Sequence, residues 1–182
     1  MSAATITFDD INTGGTAVDI ADGYQGLGWA NFGAVSALSL EPNTGYAAGL
    51  VSGPNDAFNE FAQAAQIYSF EPFTLTSGYF TGAWYDGLNL EIQGFDGDTL
   101  IDAETIVLSS TAPSLEVFNW TGVNDLIFTS FGGTPNPLYL GGGGPNFVMD
   151  NLVINSSSIP EPSEYSMIGV GLLALIVLRK RS

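Results

Sequence analysis

Apolar and polar residues alternate with a period of two along most of residues 5–154. Ile6 and Phe8 fall on one side of Thr5–Phe8, and Leu88, Leu90 and Ile92 alternate with Asn89, Glu91 and Gln93. Alternation of that kind marks strands with one face buried and one face wet. Comparable runs lie at 74–84, 100–108, 115–120, 126–131 and 147–154, bounded by Asp96-Gly97-Asp98, Thr111–Pro113, Gly122–Asp125 and the long loop Gly132–Asn146. The spacing predicts an all-β fold, an antiparallel β-sandwich of jelly-roll-like type with eight or more strands. Asp96-Gly97-Asp98 predicts the hairpin turn between strands 88–95 and 99–108. Residues 55–66 stay open: Phe58, Phe61, Ala62 and Ala65 suit a helix face, whereas Gly53, Pro54 and Asn59 suit an irregular loop. No internal repeat stands out.

The pattern changes at the C-terminus. A polar linker, 155–159, gives way to Pro160-Glu161-Pro162, an apolar run from Tyr165 to Leu178, and the basic cluster Arg179, Lys180, Arg181. The apolar residues cover every face of a helix, so the run predicts a short hydrophobic C-terminal helix made for lipid rather than for docking on a domain. At 1.5 Å per residue it is about 21 Å long, short of the roughly 30 Å hydrocarbon core, which suits a transient tether better than a permanent anchor. The three basic residues would stay on the cytoplasmic side, leaving the body on the other. The chain therefore divides into a sandwich ectodomain, 1–154, a linker, 155–159, and a tail, 160–182.

Composition sharpens this. The 182 residues include 19 Asp and Glu, 3 Lys and Arg, and no His or Cys. All three basic residues lie in the tail, so the body carries no cationic side chain. Nucleic-acid binding, Arg clamps on phosphate, His/Cys zinc sites and Ser-His-Asp or Cys nucleophiles are all excluded by that alphabet. At 45% hydrophobic and 12% aromatic, the chain is rich enough to fill a core despite its net charge of -16.

Pro160-Glu161-Pro162, the Gly169–Leu173 run and the terminal Arg179-Lys180-Arg181 together resemble the PEP-CTERM sorting signal of Gram-negative bacteria. The resemblance implies recognition by an exosortase, a membrane-embedded cysteine peptidase that cuts near the motif. It further implies export, tethering at the inner membrane before processing, and release to the cell surface or extracellular matrix, where such proteins accompany exopolysaccharide and biofilm. In that reading Pro160, Glu161 and Pro162 are a substrate motif, and the catalytic residues belong to the partner. Met1–Phe8 lacks the charged and apolar regions of a secretory signal peptide, so the expectation is that the chain begins close to a mature N-terminus. The body also looks like ectodomains of that family, with Ile6–Asp10, Gly49–Pro54, Ala83–Leu90, Gln93–Phe95 and Phe147–Leu152 carrying the likeness.

Several residues are candidates for chemistry. Asp9 and Asp10 end the first strand and Asp150 lies in the last. In jelly-roll carbohydrate-binding modules, which this arrangement resembles, those strands are neighbours and an acid from each can hold a structural Ca²⁺. Asp9, Asp10 and Asp150 are the ligands so implied, and solvated strand ends are the other reading of them. Any buried acid must find hydrogen-bond donors, a metal or a proton, because no Lys or Arg in the body can neutralise it. Asp96, Asp98, Asp102 and Glu104 lack the EF-hand spacing. Trp84 and Tyr85, beside Asp86 and Asn89, are of the types that stack on and hydrogen-bond to sugars, although aromatics in a sandwich more often pack in its core. A glycosidase would need two carboxyls roughly 5–9.5 Å apart with one raised pKa. The expected function is a non-enzymatic, structural or adhesive role beside exopolysaccharide, with a carbohydrate-binding module as the alternative and a polysaccharide hydrolase behind it.

Overall fold

A computed structural model describes residues 3–156 of the chain. The elements in order are β1 (Ala4–Ile6), β2 (Val18–Asp19), β3 (Gly28–Ala30), β4 (Phe32–Ser36), α1 (Ala37–Leu40), α2 (Gly45–Gly49), β5 (Asn55–Asn59), β6 (Ala65–Gly82), β7 (Tyr85–Asp96), β8 (Thr99–Leu108), β9 (Ser114–Pro135) and β10 (Phe147–Ser156). The strands form one hydrogen-bonded sheet in the order β2-β4-β5-β10-β6-β9-β7-β8, with β1 attached to β10 and β3 to β6. Every pairing is antiparallel. The fold is all-β, as the alternation predicts, and the arrangement is consistent with a β-sandwich.

Two long strands fold the sheet over. The front of β6 pairs with β3 at residues 66–68, while its second half pairs with β10 from Phe73 onward. Between Tyr68 and Phe73 the register of β6 against β9 shifts, and it shifts again around Leu75. Bulges of this kind bend a strand and increase its twist. As a result Phe128, late in β9, meets Phe32 of β4, Phe80 of β6 and Phe147 of β10, with ring centroids 5.5, 6.4 and 5.9 Å apart. Leu88, Leu90 and Ile92 are fully buried in that core, as are Ile6 and Phe8.

Several boundaries differ from the sequence expectation. Residues 115–131 form one strand rather than two: Asn119 and Gly122 take positive φ of 55° and 75°, absorbing a bulge where a turn was expected. Residues 55–66 are neither helix nor irregular loop throughout, because Asn55–Asn59 is a strand between β4 and β10, followed by a single 3-10 turn at Glu60–Ala62. The Asp96/Asp98 hairpin stands as expected, with Asp96 opposite Thr99 and Gly97 at φ 57°. Of the two ends of the sheet, β2 is two residues long, whereas β8 is a ten-residue exposed strand that carries Asp102 and Glu104 beside exposed Leu100, Ile101 and Val107.

A second, smaller core lies beside the first, made of Val35, Ala37, Tyr46, Ala83, Trp84 and Val148. It is closed by α2, which Thr44 caps by accepting a hydrogen bond from the Tyr46 N–H. Gly45 has to be glycine there, since a Cβ would sit 1.9 Å from the Gly82 carbonyl oxygen.

Candidate functional site

The three acids implied as calcium ligands have different fates. Asp150 is wholly buried. Its Oδ2 accepts from the backbone N–H of Val51 (2.7 Å) and Ser52 (2.8 Å), and its Oδ1 from the Ser52 hydroxyl (3.3 Å) and the Asn151 N–H (2.6 Å). The Ser52 hydroxyl has a single proton and lies closer to Asn151 Oδ1, at 2.9 Å, so the three backbone N–H groups are the main donors holding this carboxylate. Asp9 accepts from the Asn55 N–H at 3.1 Å, and the Asn55 side chain in turn holds the Phe8 and Ile11 carbonyls. Asp10 is exposed and committed elsewhere, to the Tyr24 hydroxyl at 2.6 Å and to Gln25. Asp9 and Asp150 are close enough for the charge of Asp9 to raise the Asp150 pKa, behind the larger effect of burial. Among the described residues, no group of three or more His, Cys, Asp or Glu is arranged to hold a metal ion. Asp9, Asp10 and Asp150 are not gathered into one such group: Asp10 is turned to Tyr24 and Gln25, and Asp150 is held by three backbone N–H groups.

The acid that sequence reasoning missed is Asp56, in β5. It is fully buried, and neither carboxylate oxygen has a hydrogen-bond partner. Burial lifts its pKa well above 3.8, and the charge of Asp150 adds to the shift. The rule that a buried acid here has no cation to meet applies to it most sharply. β5 lies in the stretch 55–66, whose pattern fits helix and loop alike, so nothing in the sequence marks position 56 as an inward one.

The aromatic pair is also placed differently from the sugar-binding reading. Trp84 is 8% exposed, packed edge-to-face with Tyr46 (5.8 Å, 73°) and covered by the backbone of Gly142, whose Cβ would lie 2.2 Å from the indole ring. It is a core residue, so its faces are not free to stack. Tyr85 is half-buried against both cores. The shallow cleft of about 370 Å³ nearby is lined by Asp86, Gly87, Thr134, Pro135, Asn136 and Pro137, without an aromatic ring. Trp29 and Trp120 are core residues too.

Exposed aromatics lie instead where β3 meets β6. An open cleft of about 620 Å³ runs between the 22–28 turn and residues 68–71. Tyr68 lies flat on Gly28, where a Cβ would come within 2.3 Å of the ring, and its hydroxyl donates to Asp22 Oδ1 at 3.1 Å. The same Asp22 oxygen accepts from the Trp29 N–H at 2.8 Å, which fixes the carboxylate on the turn. Phe70 is fully exposed at 102%, forgoing the ~1.5–3 kcal/mol that burying a Phe contributes. Ser69 and Glu71 complete the wall, with the Glu71 N–H bonded to the Ser69 hydroxyl. Sequence alternation carried no sign of this cleft, since it depends on the bulge after Tyr68 and on Gly28 letting the ring settle.

One further acid pair bears on hydrolysis. Glu60 has a raised pKa, from burial first and then from the charge of and a shared hydrogen bond with Asp19. Neither residue lines the two clefts above. The sorting motif Pro160, Glu161, Pro162, the apolar run 165–178 and the basic residues Arg179, Lys180, Arg181 lie outside the described residues. Among the described residues, no helix is long and apolar enough to cross a membrane.

No protein-family model matches the chain, and no curated protein matches it. Among solved structures, the chain is similar to a carbohydrate-binding module, TmCBM61, solved in complex with β-1,4-galactotriose. The TM-score is 0.34 at 7% identity, covering 70% of this chain and 86% of that one.

Proposed function

We propose that this protein is an exosortase substrate, exported and tethered at the inner membrane of a Gram-negative bacterium by residues 160–182. Once cut, it works at the cell surface or in the extracellular matrix as a structural or adhesive partner of exopolysaccharide. The observation that carries the reading is the order of the C-terminal sequence: polar linker, Pro160-Glu161-Pro162, the fourteen-residue apolar run 165–178, then three basic residues. The body supports it, since a chain with no cationic side chain before residue 179 stays dispersed through self-repulsion. In this reading the sandwich is jelly-roll-like and the tail helical.

The reading is non-catalytic. Of the carboxyls with raised pKa values, Asp56 and Asp150 are fully buried, and the partly exposed Glu41 and Glu60 line neither of the two clefts. A general acid has to come within hydrogen-bond reach of its substrate, and a glycan cannot reach Asp56 or Asp150.

The test is cell fractionation in an exosortase-carrying host. Wild-type protein is expected in the surface or matrix fraction in shortened form, and the variant with Pro160, Glu161 and Pro162 all changed to Ala is expected to stay full-length in the inner membrane. Identical partitioning of the two would overturn the sorting reading.

A further inference from the structure

We infer that the cleft between the 22–28 turn and residues 68–71 binds a pyranose glycan that carries no acidic groups. The inference rests on the reading that the protein works beside exopolysaccharide, and it assigns the contact to Tyr68 and Phe70 rather than to Trp84 and Tyr85. Sugar recognition needs flat rings with one free face and polar groups around them at hydroxyl height. Tyr68 meets the first need through its immobilisation: one face is pressed on Gly28, its hydroxyl is held by Asp22, and the residue is still 38% exposed into the cleft. The ring is thus fixed before a ligand arrives, so little side-chain freedom is lost on binding. Phe70 supplies a second ring, wholly in solvent.

The polar groups follow the same logic. Among the described residues, Asp22 uses Oδ1 for Trp29 and Tyr68 and has no hydrogen bond to Oδ2, and the Glu71 carboxylate has none at all. Both are acceptors ready for sugar hydroxyls or an amino group. Neither is accompanied by a cation, because the body has none. Uronic-acid and sulfated polymers would bring negative charge to Asp22 and Glu71 with nothing to offset it, so the cleft selects against them. Neutral hexose chains and amino-sugar chains share the chemistry that fits.

The test is calorimetric titration of the full chain with three probes: cellohexaose, a chitosan hexamer and an oligogalacturonate. Binding of cellohexaose or the chitosan hexamer is expected, with the oligogalacturonate at least about tenfold weaker, equivalent to ~1.4 kcal/mol. A stronger response to the chitosan hexamer assigns Asp22 and Glu71 as charge partners, and a stronger response to cellohexaose assigns stacking as the main term. Phe70→Ala is expected to weaken binding about tenfold or more without moving the thermal midpoint, since the ring is solvent-exposed. Tyr68→Phe, which keeps the ring and drops its tether to Asp22, should weaken binding less than Tyr68→Ala. The proposal fails if neither non-acidic probe binds, if the oligogalacturonate binds as well as they do, or if Phe70→Ala leaves affinity unchanged. It also fails if no probe binds and Phe70→Ala turns a sedimenting dimer into a monomer, which would make the cleft a contact between two copies. None of these results depends on where the chain is sorted in cells, so they leave the fractionation test independent.

Discussion

Asp56 is the residue whose environment departs most from what a carboxylate tolerates. It is buried in a strand, both its oxygens lack partners, and Asp150 lies within electrostatic range. Its folded-state pKa is raised, so between the ordinary carboxylate value and the raised one the native protein binds more protons than the unfolded chain. Stability is therefore fully present at acid pH and falls as pH climbs through that window. Asp150 acts in the same direction. Asp56→Asn, which cannot ionise, is expected to flatten this dependence and to stabilise the protein by about 1–3 kcal/mol at pH 8, measured by urea unfolding between pH 4 and pH 8. A variant that is less stable at pH 8 than wild type would mean that the carboxylate is needed in its charged form. Trp84 belongs to the same scale: as a core ring, its replacement by Ala should cost ~3–5 kcal/mol, read from the same urea curves. A loss under 1 kcal/mol would return the indole to the surface.

At the scale of elements, Asp150 works as a clamp. One carboxylate in β10 gathers the N–H groups of Val51, Ser52 and Asn151 and so fastens the 50–53 segment to the last strand. Asp150→Ala is expected to destabilise by roughly 3 kcal/mol, because several buried donors lose their acceptor together. Hydrogen exchange should speed up first at the Val51 and Ser52 amides. Millimolar Ca²⁺ is expected to leave the wild-type thermal midpoint where it is, since three N–H groups already hold the Asp150 carboxylate and Asp10 is turned to Tyr24; a cation that bound only the folded state at a hundred times its Kd would add about 2.7 kcal/mol. A rise in midpoint that Asp56→Asn abolished would place a cation at Asp56 and contradict this account. Helix α2 makes a sterically sharper case: Gly45→Ala drives a methyl into the Gly82 carbonyl and should cost ~1–3 kcal/mol.

The legibility of the chain follows these elements. Leu88, Leu90 and Ile92 were readable because a half-buried strand repeats every two residues, and Asp96-Gly97-Asp98 because a tight hairpin demands a residue such as Gly97 at positive φ. β2, β3 and β4 span two, three and five residues, too short for a period to emerge. Gly122 suggested a turn and forms a bulge, since local sequence marks a change of direction without saying whether the strand stops or bends. The sites suffered more than the fold. The sequence marks Asp and Trp as candidate types, but which acid is held by donors and which ring faces solvent are decided by long-range packing: Asp150 against the 50–53 segment, Tyr68 on Gly28, Trp84 under Gly142.

Across the whole molecule, charge and tail point to one division of labour. In the proposed reading the body is a folded polyanion with an aromatic cleft, and the segment after residue 159 would serve as its sorting address. The most direct measurement is the intact mass of the protein recovered from the surface or matrix of an exosortase-carrying host. The account predicts a species whose C-terminus lies within residues 159–164, having lost the apolar run and all three basic residues. A species that still ends at Ser182 and is recovered with the cytoplasmic fraction would contradict it.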